Sequence, residues 1–202
     1  MSNCKVLLLG SSGMLGRQIE VCLRLNGVKF IAANRMAFDA NNLVALQELI
    51  NRVTPGIIVN CIAFTDVEKA EAIDGNKNSY LNSIFLNDLS GLAKVSGCHL
   101  IHFSTDYVFD GCKMTAYTES DVANPINEYG KAKRAGEVAI ESNMENFTII
   151  RLSWLYDAVG ANIFTKIADN LLREGTCMAV IDQKSSPVFA PSLAAFVVNL
   201  IN

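Results

Sequence analysis

The stretch Gly10-Ser11-Ser12-Gly13-Met14-Leu15-Gly16 follows an apolar run, Lys5 to Leu9, and opens an amphipathic helical pattern that continues through Leu25. No other feature restricts the fold as strongly. A buried strand that passes through a glycine turn straight into a helix is the first unit of a helix-wound sheet. Glycine lets backbone approach a pyrophosphate closely, and the helix N-terminus offers free N–H groups and a positive dipole end. The spacing Gly-x-x-Gly-x-x-Gly is one residue wider than the usual dinucleotide fingerprint, so its place between strand and helix carries the reading.

The alternation continues. Val28 to Ala33, Ile57 to Ile62, Leu100 to Ser104, Phe147 to Leu152 and Met178 to Ile181 read as further short strands. Leu43 to Arg52, Asp66 to Ala72, Asn78 to Val95, Tyr129 to about Glu141 and Ile163 to Glu174 read as helices. Short apolar strands separated by amphipathic helices predict an α/β fold, a doubly wound parallel sheet of the Rossmann dinucleotide-binding type. At 202 residues, half of them hydrophobic, residues 1–202 fit one such domain with a sizeable core. Ser192 to Ile201 predicts a last helix that is apolar on almost every side and needs cover. That cover would come from a partner, from a second copy of the chain, or from a piece that a longer relative would have.

Charge and composition narrow the function. A net charge of −3 gives no general attraction to nucleic acid or anionic lipid. No run of about eighteen apolar residues is present to span a bilayer, and no signal-peptide pattern opens the chain, so the cytoplasm is the expected location. Cys4, Cys22, Cys61, Cys98, Cys112 and Cys177 are scattered without a Cys-x-x-Cys clip and read as small buried hydrophobes with free thiols. His99 and His102 read as structural residues of a strand, and nothing has metal-ligand spacing.

The second strand ends in Asn34-Arg35, where a site preferring NAD would place a carboxylate. A guanidinium can pair with a 2′-phosphate, which favours NADP(H) over NAD(H). If Arg35 is only a solvated surface charge, the site uses either cofactor. Asp39 is placed to meet the adenine or its neighbouring backbone, and Cys61, Ile62 and Ala63 end the third strand with backbone that can line the pyrophosphate and ribose. The predicted cofactor residues are therefore Gly10, Ser12, Gly13, Met14, Leu15, Gly16, Asn34, Arg35, Asp39, Cys61, Ile62 and Ala63, joined by Tyr129 and Lys133.

Tyr129 and Lys133 are four residues apart and share a helix face. A fixed ammonium beside a phenol stabilises the phenolate left after proton donation. Ser104-Thr105 lies at a strand's carboxyl end, the edge where doubly wound sheets bind ligands. Thr105 could then donate a hydrogen bond to a substrate carbonyl, Tyr129 protonate it, and Lys133 hold the ribose. Without the glycine turn, the same residues would read as a helix-surface pair and a strand cap.

Five segments together resemble the extended short-chain dehydrogenase/reductases, and within them the dTDP-4-dehydrorhamnose reductase family. They are Gly10 to Gly16, Val59 to Glu71, Ser104 to Gly111, Asn124 to Lys133 and Arg151 to Tyr156. The glycine ladder and Tyr-x-x-x-Lys are common to the superfamily; Thr-Asp-Tyr-Val-Phe-Asp-Gly and Asp-Val-Glu-Lys-Ala-Glu are specific to the branch. The resemblance implies hydride transfer from a nicotinamide to C4 of a dTDP-linked 4-keto-6-deoxy sugar. Catalysis would fall to Tyr129, Lys133 and Thr105, with Tyr107 and Trp154 near the sugar nucleotide. Trp154 could equally serve the core. Some family members are described as magnesium-dependent, but no residue pattern here supports a metal. Such reductases continue for on the order of a hundred residues, a small lobe that completes the sugar pocket and part of a dimer contact. Residues 154–202 would then carry only part of the substrate region. Two other readings follow from resemblance: a non-catalytic NADP-binding subunit similar to the regulatory beta subunit of methionine adenosyltransferase, and a reductase of another nucleotide-linked 4-keto sugar.

Overall fold

A computed structural model describes residues 6–72, 76–160, 162–178 and 183–202. In chain order the elements are β1 (Val6–Leu9), α1 (Met14–Leu25), β2 (Phe30–Ala33), α2 (Leu43–Val53), β3 (Ile57–Asn60), α3 (Val67–Ala70), α4 (Asn76–Ser79), a π-helical turn (Tyr80–Ile84) and α5 (Phe85–Val95). They continue with β4 (His99–Thr105), a 3-10 turn (Asp106–Val108), α6 (Glu128–Asn143), β5 (Phe147–Tyr156), α7 (Ile163–Glu174), β6 (Pro187–Phe189) and α8 (Ala190–Ile201).

The strands form one parallel sheet in the order β2-β1-β3-β4-β5-β6. The chain steps from β1 outward to β2, then returns to β3 and builds the other way. The reversal leaves a crevice at the carboxyl ends of β1 and β3, the place where such sheets take ligands. Alternation along β1 sends Leu7 and Leu9 to one face and Val6 and Leu8 to the other. The first face is covered by α2, α5 and α6 through Leu46, Ile50, Phe85, Leu89 and Ile140. On the opposite face, Leu15, Ile19 and Leu23, spaced by four along α1, meet Leu193, Val197, Val198 and Ile201 of α8.

That second layer revises what the final helix needs. The chain itself covers one side of α8, and each large side chain buried there contributes roughly 1.5–3 kcal/mol. Only Phe196 and Leu200, 55% and 48% exposed, keep an apolar rim in solvent. Residues 187–201 thus belong to the same sheet and core as β1.

Two further expectations need correcting. The sixth strand is Pro187–Phe189 and not Met178 to Ile181; Met178 is fully exposed and outside any strand, and residues 179–181 lie outside the described ones. Of the described cysteines only Cys98 is buried; Cys22, Cys61 and Cys177 are half-buried, and Cys112 is exposed in the loop after β4, away from either core. Cys4 lies outside the described residues. Among the described residues, no helix is long and apolar enough to cross a membrane, and no cluster of His, Cys, Asp or Glu could hold a metal.

Candidate active site

The glycine turn closes against the end of β3. Gly10 has φ +77°, and a β-carbon there would lie 2.9 Å from the carbonyl carbon of Cys61. A β-carbon on Gly16 would collide with the Gly10 carbonyl oxygen, so α1 can start directly beneath the turn only with glycine at that position. The first turn of α1 contains no acidic residue and its N-cap, Gly13, supplies no side-chain cap. Ser12 and Gly13 are exposed and Met14 is half-buried, whereas Leu15 is packed in the core and can offer only backbone. An uncapped, exposed helix N-terminus behind a close-packed turn fits a phosphate group.

Asn34 follows the strand next to this turn, and its Oδ1 accepts the Met36 N–H at 2.9 Å, which folds the loop. Arg35 is exposed and has no ion pair among the described residues, so its guanidinium is available. Asp39 is also exposed, but one carboxylate oxygen accepts both the backbone and side-chain N–H of Asn41 at 3.0 and 2.7 Å. Across the crevice Cys61, Ile62 and Ala63 are half-buried. The Cys61 N–H is tied to the Leu9 carbonyl at 2.9 Å, so the end of β3 is fixed directly to β1.

The residues expected to carry the reaction gather at the same edge. α6 begins where the Asn127 side chain accepts the Gly130 N–H at 2.7 Å. Its inner face should be apolar, as for other sheet-covering helices; instead it buries Tyr129, Lys133 and Glu137 at successive four-residue steps. A β-carbon on Gly130 would strike the Tyr107 carbonyl oxygen, so glycine allows α6 to approach the 3-10 turn closely. Tyr107 stands edge-on to Tyr129, ring centroids 6.0 Å apart and planes at 81°. Burial raises the Tyr129 phenol to about 12; the facing Thr105 hydroxyl offsets part of this, and Asp106 and Tyr107 oppose that relief. Tyr129 therefore keeps its proton at neutral pH, as a proton donor must. Thr105 Oγ1 accepts the Tyr107 N–H at 3.2 Å and lies 3.1 Å from Asp106 Oδ1, which it can reach as donor. Asp106 is a site residue that the sequence reading passed over. Burial raises its carboxyl, and hydrogen bonds from Thr105 and Ser185 counter only part of the rise.

Lys133 takes a position the sequence did not foresee. It is 1% exposed; its amine donates to the Phe103 carbonyl at 2.6 Å and sits 3.2 Å from His102 Nε2. Burial brings the amine down to about 7, with Glu137 pulling the other way. His99 is structural, bridging to Asn146 and Thr148 at the start of β4, but His102 lies in the floor of the site. Its signal in the sequence is a polar residue between Ile101 and Phe103 within an otherwise apolar strand. Trp154 is half-buried at the β5 bulge with φ +32° and belongs to neither core cluster. A separate cavity of about 500 Å³, lined in part by Lys94, Cys98, Met144 and Asn146, opens by the amino end of β4, at the opposite end of that strand from Thr105.

Comparison with known proteins agrees with this geometry. Residues 4–202 match the family described as RmlD substrate binding domain. The chain belongs to that family. It is 36% identical over 198 residues to a dTDP-4-keto-6-deoxy-D-glucose reductase of Streptomyces niveus, covering 96% of this chain and 68% of the relative. It is 33% identical over 193 residues to a dTDP-4-dehydrorhamnose reductase of Salmonella typhimurium, covering 94% and 64%. Among solved structures, the dTDP-4-dehydrorhamnose reductase of Bacillus anthracis in complex with NADP superposes with a TM-score of 0.92 at 29% identity, over 98% of this chain and 70% of that one. This member of the RmlD family thus spans about two thirds of the length of the curated relatives it matches.

Proposed function

We propose that this chain is an NADPH-dependent reductase acting on the C4 carbonyl of a dTDP-linked 4-keto-6-deoxy sugar, with dTDP-4-dehydrorhamnose as the leading substrate. The observation that carries the reading is the buried Tyr129 beside Thr105, at the sheet edge that also holds the uncapped glycine turn. The relatives named as reductases of such sugars support the substrate class.

Gly10, Ser12, Gly13, Met14, Leu15 and Gly16 would hold the pyrophosphate, Asn34, Arg35 and Asp39 the adenosine end, and Cys61, Ile62 and Ala63 the backbone beyond it. NADPH held there would supply hydride to the C4 carbonyl carbon. Thr105 orients the carbonyl oxygen, and Tyr129 gives that oxygen its proton, so that a ketone plus a hydride and a proton becomes an alcohol. Tyr107, packed against Tyr129, and Trp154 would border the sugar nucleotide. We read residues 1–202 as a dinucleotide-binding unit that carries in 154–202 part of the substrate region.

NADPH should raise the melting temperature, and dTDP-4-dehydrorhamnose should drive NADPH oxidation. Absence of any thermal shift at saturating NADPH would overturn the cofactor reading. Binding without oxidation would favour the non-catalytic subunit instead.

A further inference from the structure

The floor of the site contains a line of hydrogen bonds whose direction is set at one end. Asn60 and His102 are partners across β3 and β4, and both are buried, at 0% and 1% exposure. Ile58 and Leu100, two residues before them, point into the α6-side core, and alternation sends Asn60 and His102 the same way, toward Lys133. Asn60 Oδ1 accepts the backbone N–H of Ile62 at 3.0 Å. A backbone N–H can only donate, so this contact decides which end of the amide is oxygen. Asn60 Nδ2 must then be the group 3.1 Å from His102 Nδ1. An amide NH2 can only donate, so Nδ1 is the accepting nitrogen and the imidazole proton is on Nε2. That N–H faces Lys133 Nζ at 3.2 Å. An ammonium there would set donor against donor in a buried place, whereas a neutral amine offers a lone pair to His102 while donating to Phe103.

We propose that Asn60 and His102 are positioning residues that hold Lys133 as a neutral amine in the cofactor-free protein. Forming the ammonium then requires the Asn60 amide and the His102 tautomer to reverse together. One proton enters from solvent, the imidazole proton moves from Nε2 to Nδ1, and Asn60 turns its oxygen to receive it. Ile62 then faces an NH2 and loses its acceptor, so the Lys133 charge is coupled to the backbone at the end of β3. The ionisable groups acting on Lys133 are Glu137 on its own helix, which favours the ammonium, and His102 from β4, which burial keeps neutral. The relay does not rest on the reductase reading, and its test involves no turnover.

The test is nuclear magnetic resonance on the intact labelled chain. Long-range proton–nitrogen spectra report the imidazole tautomer, His99→Gln assigns the second of two histidines, and side-chain carbon shifts report each lysine. The expected result is an Nε2–H tautomer for His102 above pH 7.5, with Lys133 titrating far below the other lysines. Asn60→Asp places an acceptor at both contacts; it should invert the tautomer and raise the Lys133 midpoint by about one unit or more. An Nδ1–H tautomer in the unmodified protein would overturn the proposal, as would an unchanged tautomer and midpoint in a folded Asn60→Asp. The tautomer of the unmodified protein decides the matter even if that variant fails to fold. Loss of reductase activity with an intact Nε2–H tautomer would count against the function and not the relay.

Discussion

Replacing Lys133 by Met should change how stability responds to pH. The amine is 1% exposed, and burial brings it from 10.5 to about 7 in the folded protein. In the unfolded chain it keeps its ordinary value. Between about pH 7 and 10.5 the unfolded state therefore binds more protons than the folded one, and stability rises with pH. At ~1.36 kcal/mol per pKa unit, the fall from 10.5 to about 7 corresponds to about 5 kcal/mol of destabilisation, fully present below pH 7. About 3 kcal/mol of it should be relieved between pH 7 and pH 9.5.

Methionine keeps an unbranched apolar stem and takes no proton, so Lys133→Met removes that slope. The variant also leaves the Phe103 carbonyl and the His102 ring without their partner, an offset of about 1–3 kcal/mol for each group. Above pH 7 His102 stays neutral, so this offset shifts the whole curve without tilting it. The assay is urea unfolding of both proteins at pH 7, 8, 9 and 9.5 at constant ionic strength, with the difference in stability plotted against pH. A difference that changes by about 3 kcal/mol, with the lysine protein gaining as pH rises, is expected. A flat difference would mean that Lys133 keeps its charge inside the fold, and the argument from burial would fail.

Three further outcomes test the site. Tyr129→Phe should lower reductase turnover by about 10²–10⁴-fold while NADPH affinity changes by no more than about twofold, measured by NADPH oxidation and calorimetry; equal turnover in both proteins would remove Tyr129 from the chemistry. Arg35→Ala should weaken NADPH about tenfold and leave NADH nearly unchanged, a modest effect because Arg35 is solvent-screened; equal losses for both cofactors would mean that it does not read the phosphate. Gly16→Ala should lower unfolding free energy by about 1–3 kcal/mol and weaken NADPH, because the added carbon meets the Gly10 carbonyl oxygen; an unchanged urea midpoint would refute the close approach.

The sheet was legible because parallel strands buried on both faces must be apolar throughout, as Val6 to Leu9 are. The last strand was not: Pro187–Phe189 is short, lies at the edge and has little apolar signal. Of the site, the glycine turn and the Tyr129 face could be read because both depend on local spacing. The floor could not. Asn60, His102 and Lys133 are brought together by strand register and helix packing, and their separations in sequence are 42 and 31 residues. Spacing along α6 put Lys133 on the Tyr129 face but could not tell that its amine would bond to the β4 backbone.

The inner stripe of α6 ends in Glu137, which ties the stability of the fold to the site. Glu137 is fully buried; it receives two hydrogen bonds from Arg151, at 2.9 and 2.7 Å, and one from Arg134 at 2.8 Å. Burial alone would raise its carboxyl, but the guanidinium groups of Arg151 and Arg134 outweigh that and hold it below its ordinary value. The stabilisation is therefore complete above the ordinary carboxylate range and is lost as pH falls through the lowered folded value. Glu137→Gln keeps the shape but leaves Arg151 without its counter-charge, while Arg134 keeps Glu141 at 2.9 Å; the loss should be about 3 kcal/mol, the low end for a buried pair because Arg151 is partly solvated. The same substitution removes the carboxylate that pulls the Lys133 amine upward, so the Lys133 midpoint should fall further below about 7. A loss of stability with an unmoved Lys133 titration would separate the ion cluster from the site. Movement of both would make α6 a single electrostatic unit, in which the charges that hold the helix on the sheet also set the state of the buried Lys133 amine.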